Sequence, residues 1–496
     1  MDKDLLYLPK RCYALVPRTG ELVTITRGGT GYEHSPLDTG NRVENRIIAD
    51  RENAALGGVT AEQEKDMVDG AIFGWKLVLF RNCGLIPSDK VFKVEIANTS
   101  PKGGETSVNL ELPATWAEFN DALQQARIED SRRCENEVLW SKMLPRTYIS
   151  RNVNLLELNL LAQRLTMLTD EDRFGFEGLI QMERDKITGT IPLPRLINLT
   201  FNTDQCCVAS HISNHRELGQ LLWDSEMLPD EAMALLDRSE PDSEYRNGLL
   251  RLFGEKHLKD EGGVITSRGY VERSGEIREV YIPGEMAYFN RTGAPVVLEV
   301  RKGFFDDPAY DNSLAAGLDL PAHEVDVWRA VEAVQAATIK ECGFRCVDCL
   351  IPAARELIND AIDAEGGIGL ADAFARQLAR KQRVWPETDI VKYKALLEAS
   401  RCACLEDAME LADELEQYDL LPEIAEPWDY AEARLKEKYP DLPSVLFQTG
   451  QAYQAGQEML EQDHAALTSY GLIRRKDGRP LPELRQEAGG MTQRME

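Results

Sequence analysis

The sequence predicts an α+β protein, a multi-domain chain of small mixed helix/strand domains with a β-rich N-terminal region and a mainly helical C-terminal third. The chain has 496 residues, more than one ordinary hydrophobic core accommodates. Hydrophobic residues make up 43% of it, which is enough to form several cores. Strand-like segments dominate residues 1–100 and 262–302, whereas apolar residues after Glu324 recur at helical spacing.

Residues 1–103 are predicted to form a β-rich domain with one helix. The segments CYALVP and LVTITR flank the turn sequence RTGE, a pattern typical of a β-hairpin. GWKLVLF and KVFKVEIAN have the composition of further strands. Between these pairs, TAEQEKDMVDGAIF predicts a helix with Thr60 as its N-cap. The segment SPKGGETS is rich in Gly, Ser and Pro and indicates a domain boundary.

A second domain is predicted over residues 104–245. SVNLELP alternates like a strand, and Thr115 and Glu118 have the spacing of a capping box at the start of a helix. A short strand is predicted near TYIS. A helix follows over NLLELNLLAQRLTML, because its apolar residues recur every three or four positions.

A third and a fourth domain are predicted over residues 246–320 and 321–496. The third is a β-rich insert, in which GGVITSRGYVE, EIREVYIP, EMAYFNR and PVVLEVRK are strands separated by the turn sequences RSGE and RTGA. The fourth consists of successive amphipathic helices, VDVWRAVEAVQAATIKE, AARELINDAID, LADAFARQLARK, IVKYKALLEA and LEDAMELADELEQ.

An internal repeat relates the second and fourth predicted domains. Residues 196–223 align with residues 408–435 at a constant offset, so that Ile212 meets Ile424 and the sequence DQ meets EQ. Upstream, AQRL echoes ARQL and FEGLI echoes YKALL, at slightly larger offsets. The shared unit is a helix, an acidic turn, another helix, a polar strand or loop, and then a second acidic helix.

The charge balance is strongly negative, with a net charge of -27. A field of this sign repels nucleic acid and anionic lipid and attracts basic surfaces. The surplus of acidic residues is also concentrated in two segments. Residues 216–245 hold nine acids and two bases, and residues 401–440 hold twelve acids and four bases. Between Glu410 and Glu432 there are nine acids and no Lys or Arg. A general solubility bias would not place the surplus in the later part of both repeats.

The sequence also predicts the compartment. It holds no apolar run of the length that a membrane span requires, and its start lacks the apolar region of a signal peptide. We therefore expect a cytoplasmic protein. Its ten cysteines are then expected to be mostly free thiols.

Four short helical motifs lie between residues 157 and 222, namely ELN-x-LA-x-x-L, FE-x-L, a hydrophobic residue followed by Asn, and ELG-x-x-L. In these motifs the chain resembles the ArdA-type antirestriction proteins of mobile elements. The resemblance covers about 105–240, including the opening segment SVNLELPATWAEFNDALQQARI, and more faintly 370–475 as a second copy. The matching positions are Glu157, Leu158, Asn159, Leu161, Ala162, Leu165, Phe176, Glu177, Leu179, Ile197, Asn198, Leu199, Glu217, Leu218, Gly219 and Leu222.

The resemblance implies an elongated, acidic and usually dimeric protein that is not an enzyme and needs no cofactor. Proteins of this family imitate bent B-form DNA and occupy the DNA-binding groove of type I restriction-modification enzymes. This chain is far longer than a simple family member, so the partner could be a related defence complex. The acidic side chains expected to bind it are Glu217, Asp224, Glu226, Asp230, Glu231, Asp237, Glu406, Asp407, Glu410, Asp413, Glu414, Glu416, Asp419, Glu423, Glu426, Asp429 and Glu432.

Two alternatives stay open at this point. Cys342, Cys346 and Cys349 have the spacing of an iron–sulfur or metal site, which would indicate an enzyme. The same spacing places three cysteines on one face of a helix, where they would be ordinary core residues. The other alternative is an acidic scaffold that binds a basic host protein without imitating DNA.

Overall fold

A computed structural model shows the fold of the chain. It describes residues 8–16, 19–27, 31–56, 58–59, 61–73, 90–98, 106–128, 134–187, 189–241, 243–283, 293–305, 315–400, 402–447 and 449–482. Small three-stranded antiparallel sheets are covered by helices, which confirms the predicted α+β class. Within these residues no helix is both long enough and apolar enough to cross a bilayer.

The N-terminal region contains the predicted hairpin and one helix that the sequence did not predict. The hairpin pairs β1 with β2, and the helix is α1. The predicted strand GWKLVLF and the predicted cap Thr60 lie outside the described residues. The described elements of this region are β1 (Arg11–Leu15), β2 (Leu22–Thr26), β3 (Glu33–His34), α1 (Arg42–Ala55) and α2 (Ala61–Phe73).

Helix α1 was missed because its buried face is polar. Asn45 and Asn53 are buried although asparagine is not a core residue by composition. The Asn53 amide donates to the Tyr13 carbonyl and accepts from the Tyr13 N–H, both at 2.8 Å, and Asn45 donates to the Gly20 carbonyl at 2.9 Å. These bonds attach α1 to the hairpin without an apolar stripe.

The rest of the described chain forms two units, each with its own hydrophobic core. The first unit, residues 90–283, contains β4 (Phe92–Asn98), β5 (Thr106–Leu112), α3 (Trp116–Gln125), β6 (Glu135–Ser141), α4 (Leu155–Thr166), α5 (Asp170–Arg184), α6 (Leu193–Thr200), β7 (Cys206–Ser210), α7 (His215–Asp224), α8 (Asp230–Asp237), α9 (Glu244–Glu261), β8 (Val264–Ile265) and β9 (Gly269–Arg273). The second unit, residues 293–482, contains β10 (Val296–Lys302), β11 (Ala315–Leu320), α10 (Glu324–Ala333), β12 (Cys342–Cys349), α11 (Arg355–Glu365), α12 (Gly369–Gln382), α13 (Glu387–Ser400), α14 (Leu405–Asp413), β13 (Tyr418–Leu421), α15 (Pro427–Lys438), α16 (Gly450–Gln462), β14 (Ala466–Thr468) and β15 (Gly471–Arg475).

The two units have the same topology. The strand order β5-β4-β6 of the first unit corresponds to β11-β10-β12 of the second, and β7-β9-β8 corresponds to β13-β15-β14. A register shift interrupts the pairing of β4 with β6 and that of β10 with β12 at the same place. A single helical turn precedes both β7 and β13, and these strands begin at Cys206 and Tyr418, the offset of the sequence repeat. The repeat is therefore a property of the fold.

A glycine at a strand start recurs in both units for a steric reason. Gly269 and Gly471 have φ angles of 142° and 124°, which favour glycine. A Cβ atom would lie 2.3 Å from the Ala209 carbonyl oxygen in the first unit and 2.6 Å from that of Leu421 in the second. Only glycine permits the adjacent strand to approach this closely.

Strand pairing crosses the predicted domain boundaries, which are therefore corrected. β4 and β5 pair along their whole length although the boundary at 103/104 separates them. The boundary at 245/246 cuts α9, and that at 320/321 separates β11 from β12, which lie in one sheet. The segment SPKGGETS lies between two paired strands, so its composition does not mark a domain boundary. Residues 246–320 are not an insert, because β8 and β9 pair with β7 while β10 and β11 belong with β12.

One local prediction of the first unit was confirmed, and two predicted strands were wrong. The capping box of Thr115 and Glu118 is present at the start of α3. The segment TYIS contains a single helical turn at Arg146–Tyr148 and no strand. EIREVYIP is not a strand either, because the side chain of Asn198 replaces a neighbouring strand by accepting from the N–H groups of Val280 and Tyr281, both at 2.7 Å. EMAYFNR falls outside the described residues.

The close contact of α15 with α16 predicts a specific sensitivity. A Cβ atom on Gly456 would lie 1.9 Å from the Pro427 carbonyl oxygen. Replacing Gly456 by Ala should therefore separate the two helices and destabilise the second unit by about 3 kcal/mol. We expect the midpoint of its thermal unfolding to fall by about 5 °C or more in calorimetry.

The matched control is Gly450→Ala, at the start of the same helix. A Cβ atom there would meet nothing within 4 Å. We expect this variant to unfold at the wild-type temperature or slightly above it, because Ala is the better helix former. Equal destabilisation by the two substitutions would contradict the packing argument.

Candidate acidic binding surface

The predicted acidic residues of the second unit lie from α14 to α15, on the two helices, the helical turn Leu415–Gln417, β13 and the connecting segments. Helix α14 buries Leu411 and Ala412 and exposes Glu410 and Asp413. The turn likewise buries Leu415, while Glu414 and Glu416 are exposed on either side of it. The chain therefore turns these four carboxylates away from the core, as the apolar spacing predicts.

The predicted acidic residues of the first unit lie later in the fold, on α7, α8 and the segment between them. Asp224, Glu226, Asp230, Glu231 and Asp237 are all exposed. In this unit α6, the counterpart of α14, carries no acidic residue. The negative surplus thus occupies the later part of both units, but on different elements.

Glu217 and Asp429 cap helices rather than forming free surface charge. The Glu217 carboxylate accepts hydrogen bonds from the N–H of Ser213 at 2.7 Å and from its hydroxyl at 2.8 Å, and these lower its pKa. Asp429 accepts from the N–H groups of Ala425 and Glu426 at 3.1 and 2.9 Å. Both lie at the third position of a helix, where a carboxylate satisfies donors that the helix leaves open.

Three predicted carboxylates are paired with lysines. A 2.8 Å ion pair with Lys381 lowers the pKa of Asp413, and Asp419 lies 3.7 Å from the Lys476 ammonium. Burial disfavours the charged form of Glu432, but its bonds to Lys436 and Ser444 outweigh this effect and lower its pKa. These pairs reduce the charge that is available to a partner.

Further residues of the predicted set interact within the chain. Asp224 accepts from Gln220 at 2.8 Å, and Asp237 accepts from the Trp223 indole at 3.3 Å. The charges of Asp429 and Glu423 act on Arg127 of the first unit, although burial is the larger effect and lowers the pKa of that guanidinium. Glu423 itself is exposed, so it stays within the candidate surface.

A smaller set of carboxylates remains exposed without an ion pair in the described part of the chain. Glu406 and Asp407 lie in the first turn of α14, where Asp407 is half-buried, and Glu426 precedes α15. Within this set the compact group of α14 and its following turn is the strongest candidate site. The exposed members without an ion pair are Asp224, Glu226, Asp230, Glu231, Asp237, Glu406, Glu410, Glu414, Glu416, Glu423 and Glu426.

The bases that pair with these acids were not predicted from the sequence. Lys436 is four residues from Glu432, a spacing at which a helix brings opposite charges together, so this pair was available from the sequence. Lys381 comes from α12 and Lys476 follows β15. No local signal could connect them to Asp413 and Asp419, because tertiary packing brings them together.

The cysteines of ECGFRCVDC lie on a strand, which corrects both readings of their spacing. They form β12, so residues four apart along it are about 13 Å from each other. Cys342, Cys346 and Cys349 therefore cannot converge on one iron–sulfur cluster or metal ion. Among the described residues, no group of three potential ligands is placed to hold a metal. Burial raises the pKa of all three thiols, so these cysteines are protonated core residues.

Asp348 on the same strand is a buried carboxyl with an unusual titration. Burial raises its pKa from 3.8 to about 6, opposed by a hydrogen bond from Thr115, and one of its oxygens has no hydrogen-bond partner. The unfolded chain releases this proton near pH 4 and the folded chain near pH 6. The resulting penalty is absent below pH 4, grows between these values and persists above pH 6.

Replacing Asp348 by Asn should remove that penalty. We expect the midpoint of thermal unfolding to rise by about 3–6 °C at pH 8 and to change little at pH 4. Calorimetry at both pH values measures the difference. Asp360→Asn on the exposed face of α11 is the control, for which no pH-dependent gain is expected. A gain of the same size at pH 4 would show that removal of a buried charge is not the cause.

Comparison with known proteins yields no relative for this chain. No family model matches it, and no curated protein and no solved structure gives a significant match. The residues of the candidate surface and the duplicated fold therefore carry the functional argument.

Proposed function

We propose that the protein is an antirestriction protein of a mobile element, an acidic DNA mimic that inhibits a type I restriction-modification complex or a related defence complex. The observation that carries the proposal is the group of exposed carboxylates on α14 and the turn after it, together with a second group on α7 and α8. The resemblance to ArdA-type proteins supports it. In this proposal the protein acts in the cytoplasm as a non-enzymatic inhibitor without a cofactor.

The physical basis of the proposal is electrostatic. Enzymes that bind duplex DNA neutralise its phosphates with Lys and Arg, and they meet one negative charge per ~1.7 Å of helix axis. Glu410, Glu414 and Glu416 offer the same basic residues a substitute within a short stretch of chain. Their repulsion costs some stability, which Leu411 and Leu415 offset by packing into the core.

Charge reversal at the candidate surface tests the proposal. A variant with Glu410→Lys, Glu414→Lys and Glu416→Lys should lose inhibition of a purified type I restriction complex, with an inhibition constant raised at least about tenfold. The measurement is DNA cleavage by that complex at increasing inhibitor concentration. Duplex DNA should compete with the wild-type protein for the same groove.

The chain offers a control with the same change of net charge. Glu356, Asp360 and Asp363 are exposed on α11, and their replacement by Lys should leave inhibition within about twofold of wild type. Equal loss in both variants would make net charge, not this surface, the determinant. Binding that duplex DNA does not displace would favour the acidic scaffold, since such a protein need not occupy the DNA groove.

Salt dependence provides a second test. Because the proposed contacts are between exposed charges, raising the salt concentration from about 0.05 M to 0.5 M should weaken binding by about tenfold or more. Isothermal titration calorimetry or surface plasmon resonance at several salt concentrations measures how the dissociation constant depends on salt. Binding that does not respond to salt would count against an electrostatic mimic.

A further inference from the structure

The two units of the chain are joined through one face of α3. Asp121 on this helix forms a buried ion pair with Lys394 of α13 at 2.7 Å and also accepts from the Tyr470 hydroxyl at 2.7 Å. Gln124 accepts from Lys394 at 2.8 Å, and Gln125 donates to Tyr470 at 3.2 Å. We call this polar face of α3 the plug. The surface of the second unit that receives it, formed by α13 and by Tyr470 just before β15, is the socket.

The second unit has its own copy of the plug. Helix α10 follows β11 as α3 follows β5, and both helices are followed by a residue with φ of 57°, Arg127 and Gln335. At this register Arg329 occupies the position of Asp121, and Val325 occupies that of Ala117. Ala117 is 8% exposed, whereas Val325 is 60% exposed and its neighbour Trp328 is 45% exposed. The plug of the second unit is thus uncovered within one chain.

The first unit has the corresponding socket. In the repeat FEGLI/YKALL, Glu177 of α5 takes the position of Lys394. Arg268 takes the position of Tyr470, in the turn before β9. Trp140 takes the position of Asp348, because it has the same place beside the register shift of its sheet. Trp140 is 49% exposed and Leu139 beside it is 38% exposed, so apolar surface is uncovered here as well.

The charges at the two uncovered surfaces are complementary with reversed sign. Inside the chain an acid on the plug, Asp121, meets a base in the socket, Lys394. In the uncovered pair the plug carries the base Arg329 and the socket carries the acid Glu177. Arg329 now contacts only Asp326 on its own helix at 3.2 Å among ion pairs of the described residues, and Glu177 accepts from Ser267 at 2.9 Å.

We propose that α10 of one chain docks on the α5–β9 socket of a second copy of the chain, with Arg329 pairing with Glu177. This contact between two chains would reproduce the contact that α3 makes with the second unit within one chain. Docking would cover Val325 and Trp328 on one side and Leu139 and Trp140 on the other. Because plug and socket are different surfaces, the association is head-to-tail, and the rotation between successive chains determines whether it closes into a ring or stays open. This inference is independent of the proposed inhibition of restriction.

Sedimentation or light scattering of the full chain tests the proposal over a range of concentrations. We expect the average mass to exceed that of the monomer and to grow with concentration. Arg329→Glu and Glu177→Arg should each weaken the association by about tenfold or more. An equimolar mixture of the two variants should restore it, because each chain then offers the complement of the other. The double variant should associate by itself for the same reason.

Matched controls separate the contact from a change in net charge. Lys340→Glu and Glu240→Lys alter exposed residues outside the two surfaces and should leave the association unchanged. Trp328→Ser, at an exposed position that folding does not require, should weaken it without involving charge. A wild-type chain that stays monomeric, or a dimer that resists Arg329→Glu, Glu177→Arg and Trp328→Ser, would overturn the proposal.

Discussion

The buried ion pair between Asp121 and Lys394, together with the ion pair of Glu118 with Arg355, holds the two units of this protein against each other. Their hydrophobic cores are separate, so apolar burial alone does not fix one unit on the other. The first pair is shielded from water and satisfied by Gln124 and Tyr470, and burial together with Asp121 raises the pKa of the Tyr470 hydroxyl. Removing one member would leave the other charge buried, at a cost of about 3–5 kcal/mol. Such a contact favours a single orientation of the two units, whereas a purely apolar interface would let them slide against each other.

Because the unit is duplicated, the protein has two copies of each surface, and only one copy is covered within the chain. The plug and socket inside the chain are satisfied, and their counterparts on α10 and α5 are exposed. Similarly, Glu217 and Asp429 have the same capping role in the two units, while the uncompensated carboxylates lie on α7 and α8 in one and on α14 in the other. Equivalent positions therefore preserve what the fold requires, whereas exposed positions differ between the copies.

A large negative charge is not by itself a binding surface. Of the acids in the segment from Glu410 to Glu432, one caps a helix and three are paired with lysines from α12, α15 or the end of β15. The remaining exposed group around Glu414 is small and local. These carboxylates are a candidate binding surface because of where they lie. Helix α14 and its turn direct their side chains outward, while the core holds the backbone.

The sequence by itself determined the α+β class, the hairpin of β1 and β2, most helices of the second unit and the internal repeat. These features depend on residues close in the chain, such as the capping box of Thr115 and the apolar spacing of α14. Helix α1 and strand β12 were misread, because Asn45 is buried through tertiary hydrogen bonds and cysteines at helical spacing also fit a buried strand.

Only the tertiary structure decided the domain boundaries, the partners of the acidic residues and the contact between the units. Strands that pair across turn-rich segments cannot be assigned from the turns, since the same residues connect strands within a domain and join separate domains. Lys381 and Lys394 meet carboxylates distant in sequence, so only packing brings the opposite charges together and shields them from water.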